Sequence, residues 1–172
     1  MDKSKIKVCV GLSGGVDSSV AAYLLRQEGY ACTGATMRLH RDERLRPACS
    51  KSCCSDEDEE DAAFICYQLG IPHESLCYTQ LFSEKVIGDF IREYECGRTP
   101  NPCIACNRYL KFDALLQYAL RESFDILATG HYARVVWDEA SKRWQLRKAA
   151  DAAKDQSYVL YSLTQEQLAE VM

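Results

Sequence analysis

Apolar and polar positions along the chain switch between two periods. Ile6-Lys7-Val8-Cys9-Val10 alternates and is β-branched, which predicts a strand. Val20-Ala21-Ala22-Tyr23-Leu24-Leu25 has helical spacing, and Gly29 is placed to stop it. Ala31 to Leu39 predicts a second strand with Met37 near its carboxyl end. Ser55 then precedes six acids, Asp56 to Asp61. In isolation that run resembles a disordered acidic segment. Its position instead suits a helix N-terminus, with Ser55 as cap and Ala62, Ala63, Ile65, Cys66 and Leu69 continuing an apolar face to Gly70. Ile71 to Cys77 predicts a strand entered by an exposed His73. Leu81, Phe82, Val86, Ile87, Phe90, Ile91 and Tyr94 repeat at helical spacing up to Gly97, and Leu110, Leu115, Leu116, Ala119 and Leu120 do so again. Asp125 to Arg134 predicts a strand running into a turn. Val135-Val136-Trp137 and Arg143 to Arg147 predict a hairpin around Asp138 to Lys142. Lys154 to Tyr158 is a polar turn, and Thr164 with Gln167 forms a capping box. That last helix has barely begun at Met172, so the chain is expected to be cut from something longer. Strands alternating with helices predict an α/β fold: an open, mainly parallel, doubly wound sheet with helices on both faces and a small β-hairpin near the C-terminus.

Composition narrows the class. At 172 residues, 47% of them hydrophobic, the chain has enough for one core and little for two. No apolar run approaches the ~20 residues of a membrane span, and Met1 to Lys5 lacks the apolar stretch of a secretory signal. Net charge is −4, which gives no global support for nucleic-acid binding, although a local basic face suffices for it. One such stretch holds Arg38, His40, Arg41, Arg44, Arg46 and Lys51 against Asp42 and Glu43. It reads as a solvated loop or as an RNA or phosphate contact. Ten cysteines without a secretory signal indicate a reducing, cytoplasmic setting, with thiols divided among burial, catalysis and metal. Cys9, Cys32, Cys66 and Cys77 lie in apolar patterns and are expected to be buried. Cys49, Cys53 and Cys54 cluster, but no second half with zinc spacing follows.

Two stretches carry candidate chemistry. Gly11-Leu12-Ser13-Gly14-Gly15-Val16-Asp17-Ser18-Ser19 joins the first strand to the first helix. Such a turn gathers unpaired N–H groups and the positive end of a helix, which favours an anion. Gly14 and Gly15 admit a phosphate close to the backbone. Ser13, Ser18 and Ser19 can donate hydroxyl hydrogen bonds, and Asp17 can hold a Mg²⁺. A serine-capped tight turn is the plainer reading. The loop is neither a Walker A nor a Gly-x-Gly-x-x-Gly motif. The second stretch is Gly97-Arg98-Thr99-Pro100-Asn101-Pro102-Cys103-Ile104-Ala105-Cys106-Asn107. Its prolines predict an extended loop, with a helix starting close behind at Lys111-Phe112. Arg98, Arg108 and Lys111 around a C-x-x-C pair favour thiolate. Redox, zinc, iron–sulfur and plain structural roles all stay open for that pair. Gly130 at a strand end admits close approach of an adenine or ribose, and His131 by itself reads as a structural residue.

Ser13-Gly14-Gly15-Val16-Asp17-Ser18 resembles the pyrophosphate loop of the N-type ATP pyrophosphatases. Further blocks follow in order: Cys53-Cys54-Ser55, Gly97 to Pro102, Cys106-Asn107, Lys111-Phe112, Ala128 to Arg134, and Lys154 to Tyr158. Together they resemble the N-terminal catalytic domain of the tRNA-specific 2-thiouridylases over nearly the whole chain. The resemblance implies a catalytic domain over residues 1–163. Residues 164–172 then begin a following helical segment, and the rest of the protein is absent.

The implied activity is ATP- and Mg²⁺-dependent 2-thiolation of the wobble uridine of tRNA, by adenylation of O2 followed by sulfur transfer. Carried over by position, Gly11, Leu12, Ser13, Gly14, Gly15, Val16, Asp17, Ser18, Met37 and Gly130 bind ATP. Asn101, Pro102 and Cys103 lie against the flipped base. His131, Lys154, Asp155 and Gln156 touch tRNA, and Cys106 is the first catalytic cysteine, forming a disulfide with the persulfide-bearing one. A sulfur-relay protein or cysteine desulfurase is the implied partner, and no membrane is involved. Two departures stand out. The family's persulfide cysteine falls beyond Met172, so this chain is incomplete for full turnover. Many members carry Asp where Cys103 stands, which leaves any acid–base role there in doubt. With that missing cysteine, Cys103 and Cys106 could ligate a [4Fe–4S] cluster in the full-length protein. Two other classes compete. One is another adenylating synthetase, forming an amide or C–N bond. The other is a non-catalytic metal- or RNA-binding module.

Overall fold

The computed structural model describes residues 2–39 and 56–172. The basic stretch from His40 to Lys51, the cysteines Cys49, Cys53 and Cys54, and the cap Ser55 lie outside the described residues.

Four parallel strands form the central sheet in the order β3-β2-β1-β4. They are β1 (Lys7–Leu12), β2 (Ala31–Arg38), β3 (His73–Cys77) and β4 (Ile126–Thr129). β1 is central. Val8 pairs with Cys32 on one side and with Ile126 on the other. Parallel strands buried on both faces need apolar side chains pointing both ways, and β1 supplies them. Val8, Val10 and Leu12 pack with Ala22 and Leu25 of α1 (Val16–Gln27) and with Ala62 and Cys66 of α2 (Asp56–Leu69). Cys9 points to the opposite face, with Ala35, Met37 and Leu127, under Leu110, Leu115 and Leu116. The acidic run is thus helical, as its position suggests.

The second face is covered by helices whose turns change width. α3 (Thr79–Phe82) passes through a π-helical segment, Ser83–Ile87, into α4 (Gly88–Glu95). α5 (Pro102–Cys106) passes through a longer one, Asn107–Leu115, into α6 (Leu116–Arg121). The sequence places the start of this helix at Lys111-Phe112; it begins at Pro102 instead. Proline suits the first helical position, where its missing N–H costs nothing. Both cysteines of the C-x-x-C pair therefore ride on the first turns of a helix.

Beyond β4, the strands β5 (Ala133–Asp138) and β6 (Arg143–Lys148) form the expected antiparallel hairpin. Trp137 lies opposite Trp144, with ring centres 5.5 Å apart, edge to face. Thr164 and Gln167 make the expected capping box on α7 (Gln165–Ala169). After five residues that helix ends, and Val171 pairs in parallel with Leu127 of β4. Two other expectations fail. Cys77, expected to be buried, is exposed at the end of edge strand β3. His73 is half-buried rather than exposed, and its Nε2 lies 2.9 Å from Thr36 Oγ1. Burial holds its pKa below the ordinary value.

Candidate active site

Strand order reverses direction at β1. α1 and α2 return over one face, while the connection from β3 to β4 returns over the other. The crevice at the carboxyl ends of β1 and β4 is where open α/β sheets bind ligands. The glycine-rich turn lies there. Gly14 has φ +71°, and a Cβ on it would meet the Asp58 carbonyl oxygen at 2.6 Å. Gly15 starts α1 without any side-chain cap. The serines brace the turn: Ser18 Oγ and Ser19 Oγ donate to the Gly15 carbonyl at 3.0 and 2.9 Å. Ser13 N–H in turn donates to Ser18 Oγ. The hydroxyls of Ser18 and Ser19 are thus engaged within the loop, and its uncapped N–H groups are the donors it offers outward.

Gly130 closes the crevice from the β4 side. A Cβ there would sit 2.6 Å from Ser18 N and 2.8 Å from Asp17 C. Next to it, Tyr132 OH donates to Asp17 Oδ1 at 2.8 Å. Tyr132 is itself held twice by Gln156: its N–H donates to Gln156 Oε1, and its carbonyl accepts from Gln156 N–H, both at 2.9 Å. The Lys154 ammonium lies 5.0 Å from the centre of the Tyr132 ring. Asp155 accepts from the backbone N–H of Ala149 and from the Ser157 hydroxyl, which holds its carboxyl below the usual range. His131 Nδ1 lies 2.8 Å from Thr129 Oγ1, and its ring is 5.6 Å from that of Phe112. Burial first, and the Lys111 charge second, push its pKa down to about 4, so the imidazole is neutral.

The opposite wall is the cysteine helix. Asn101 caps α5, its Oδ1 accepting from Cys103 N–H at 3.1 Å and Ile104 N–H at 3.4 Å. Cys103 is exposed and Cys106 half-buried. By contrast, burial pushes the Cys9 thiol up to about 12 and the Cys66 thiol up to about 11, which removes both as nucleophiles at neutral pH. Asn107 donates from Nδ2 to the Cys103 carbonyl at 2.9 Å, and its buried Oδ1 has no partner among the described residues.

These walls enclose a cavity of about 520 Å³, a volume suited to a nucleotide-sized ligand. Of the residues singled out from the sequence, Gly11, Leu12, Ser13, Asp17, Ser18, Met37, Pro102, Cys103, Cys106, Gly130, His131 and Gln156 line it. Gly14, Gly15, Val16, Asn101, Lys154 and Asp155 do not; they shape or flank the lining segments. Sequence reasoning missed Phe82, Val86, Asn107 and Leu115. Phe82, Val86 and Leu115 read as ordinary core positions. Asn107 reads in the sequence only as the neighbour of Cys106, and its burial follows from the fold. No group of three or more metal-ligating side chains occurs among the described residues.

Residues 6–172 match the family model described as tRNA methyl transferase HUP domain. The chain belongs to that family. Relatives of the HUP-domain chain include a tRNA-specific 2-thiouridylase MnmA from Clostridium acetobutylicum, 51% identical over 162 residues. That match covers 94% of this chain and 45% of the relative. A protein of the same name from Clostridium botulinum is 48% identical over 172 residues, covering 100% of this chain and 47% of the relative. The chain thus spans about half the length of the curated relatives it matches. Among solved structures, a predicted subunit of tRNA methyltransferase from Methanocaldococcus jannaschii aligns with TM-score 0.49 at 22% identity, over 72% of this chain and 53% of that one.

Proposed function

We propose that this HUP domain is the N-terminal catalytic half of an ATP-dependent tRNA uridine 2-sulfurtransferase acting in the cytoplasm. One observation carries the reading: a single cavity joins the glycine loop at the β1–β4 crevice to the thiols of α5. A synthetase using the same loop to form a C–N bond has no need of two cysteines on that wall. Relatives at about half identity named as tRNA-specific 2-thiouridylases support the same assignment.

In this reading residues Gly11 to Ser18, Met37 and Gly130 receive ATP. The loop fits a triphosphate because the α1 N-terminus lacks a side-chain cap and Gly14 holds a positive φ. Asp17 is the residue suited to Mg²⁺. O2 of the uracil attacks the α-phosphorus, and the bond to the β-phosphate breaks with release of pyrophosphate. A sulfur nucleophile then attacks C2, and AMP leaves with O2. Asn101, Pro102 and Cys103 face the base, and His131, Lys154, Asp155 and Gln156 face the RNA. Cys106 is the thiol that resolves the persulfide cysteine supplied by the longer protein, which is loaded by a sulfur-relay protein or cysteine desulfurase. In place of that persulfide route, Cys103 and Cys106 would supply two ligands to a [4Fe–4S] cluster whose third ligand lies outside this chain, an open iron then carrying the sulfide. The catalytic domain occupies residues 1–163, with 164–172 leading into the next segment.

Calorimetry with Mg²⁺ and ATP tests the assignment. The native chain binds, Asp17→Ala loses at least tenfold in affinity, and Cys106→Ser binds as the native chain does. A native chain that binds no ATP overturns the reading.

A further inference from the structure

Beside the cavity runs a ladder of cations and tyrosines that the proposed chemistry does not use. Lys85 directly precedes Val86, and Arg108 directly follows Asn107; both of those neighbours line the cavity. The Lys85 ammonium lies 5.8 Å from the centre of the Tyr109 ring. The Arg108 guanidinium lies 6.0 Å from that ring and 5.8 Å from the ring of Tyr161. Arg108 Nη2 also donates to Tyr161 OH at 3.4 Å. Tyr161 is nevertheless 63% exposed, and Tyr158, three residues earlier, is 60% exposed.

Among the described residues, Lys85, Arg108, Lys111 and Lys154 make no ion pair, and Lys111 lines the cavity itself. Tyr161 and Arg108 together place an exposed ring beside a cation. Their geometry suits a ligand that offers flat π faces and phosphates together, which is single-stranded nucleic acid. A duplex offers phosphates but no free base faces. An acidic peptide would use the cations and leave the tyrosine faces unmatched.

We infer that Lys85, Tyr109, Arg108 and Tyr161 form a single-strand RNA platform that stacks a nucleotide flanking the target base while that base enters the cavity. Tyr161 supplies the stacking face, and Arg108 both holds that ring and neutralises the adjoining phosphate. The inference rests on the reading of this domain as a tRNA-modifying one and extends its RNA contact to residues outside those already assigned.

Fluorescence anisotropy on the 172-residue chain tests it. The probes are an RNA hairpin with a single-stranded loop containing uridine and a blunt RNA duplex of equal length. The native chain binds the hairpin more tightly than the duplex. Tyr161→Ala weakens hairpin binding roughly tenfold and leaves duplex binding unchanged. Tyr161→Phe, which keeps the ring, binds as native. Arg108→Ala lowers the slope of log affinity against log salt by about 0.7, one phosphate contact on a single strand. Tyr67→Ala, at an 80% exposed position on α2, serves as the control and binds as native. If the native chain prefers the hairpin but Tyr161→Ala and Arg108→Ala match it, the platform is wrong and the proposed function stands. Equal binding of hairpin and duplex also overturns the platform. A native chain that binds neither RNA nor ATP overturns both.

Discussion

His131 enters the cavity as a neutral imidazole. Its Nδ1 is engaged by Thr129, and Lys111 stands near enough to disfavour a second positive charge. The folded-state pKa is about 4, against an ordinary value of 6.5. Between those values the unfolded chain binds a proton that the folded chain refuses. The contribution of His131 to stability is therefore present above pH 6.5 and is lost as pH falls toward 4. His131→Gln removes this contribution. Thermal melts at pH 7.5 and pH 5 are expected to show a larger drop for the native chain than for the variant. His73, depressed in the same sense, is present in both and cancels. Equal drops would mean that His131 is charged or solvated in the folded chain.

At the scale of elements, Gly34 sets how closely β2 lies against α2. A Cβ there would press on Leu12 Cδ1 at 2.7 Å and on the Cys66 sulfur. Gly34→Ala is expected to cost about 1–3 kcal/mol in urea unfolding. Adding Cys66→Ala restores part of that loss, because the two side chains compete for one space. Full additivity of the two losses would show that they do not meet. The helical elements also show where sequence reading stops short. The apolar spacing of Leu81 to Tyr94 and of Leu110 to Leu120 marks helices correctly. It cannot show that both runs pass through π-helical turns, nor that Ile87, Ile91, Tyr94 and Leu120 end up exposed. Pro102 is likewise ambiguous in the sequence alone. Pro-x-Pro suggests extension, but with Asn101 capping the chain, Pro102 becomes the first residue of a helix.

At the scale of the molecule, three distant segments meet on Asp17. Its carboxylate accepts from Tyr132, which Gln156 holds by two hydrogen bonds, and Gly130 presses against the turn that carries it. The loop from β1 is thereby tied to the end of β4 and to the polar turn that follows the hairpin. Tyr132→Phe keeps the ring beside Lys154 and cuts the bond to Asp17. Such a single bond to a charged acceptor is worth about 1.5–3 kcal/mol. A shift of several-fold in the affinity for Mg²⁺ with ATP is expected, with the thermal midpoint lowered by roughly 2–4 °C for each kcal/mol lost. An unchanged affinity would mean that the tie to Tyr132 does not set the position of Asp17 when nucleotide binds.

The sequence by itself determined the strands, the helices and their alternation, since each follows from periods of two and 3.6 read over a few neighbours. It also marked both chemical stretches, because a glycine-serine turn and a proline-flanked C-x-x-C pair announce themselves locally. The tertiary structure alone decided what depends on residues far apart. It brought Cys103 and Cys106 across the cavity from Ser13, and joined Asp17 to Tyr132 over 115 positions. It made β3 an edge strand and so exposed Cys77. It laid Val171 along β4, where a short helical signal gave no hint of a strand partner. Local periodicity encodes which way a side chain faces within its own element. Which other element it then meets follows from strand order and packing, and those are properties of the whole chain.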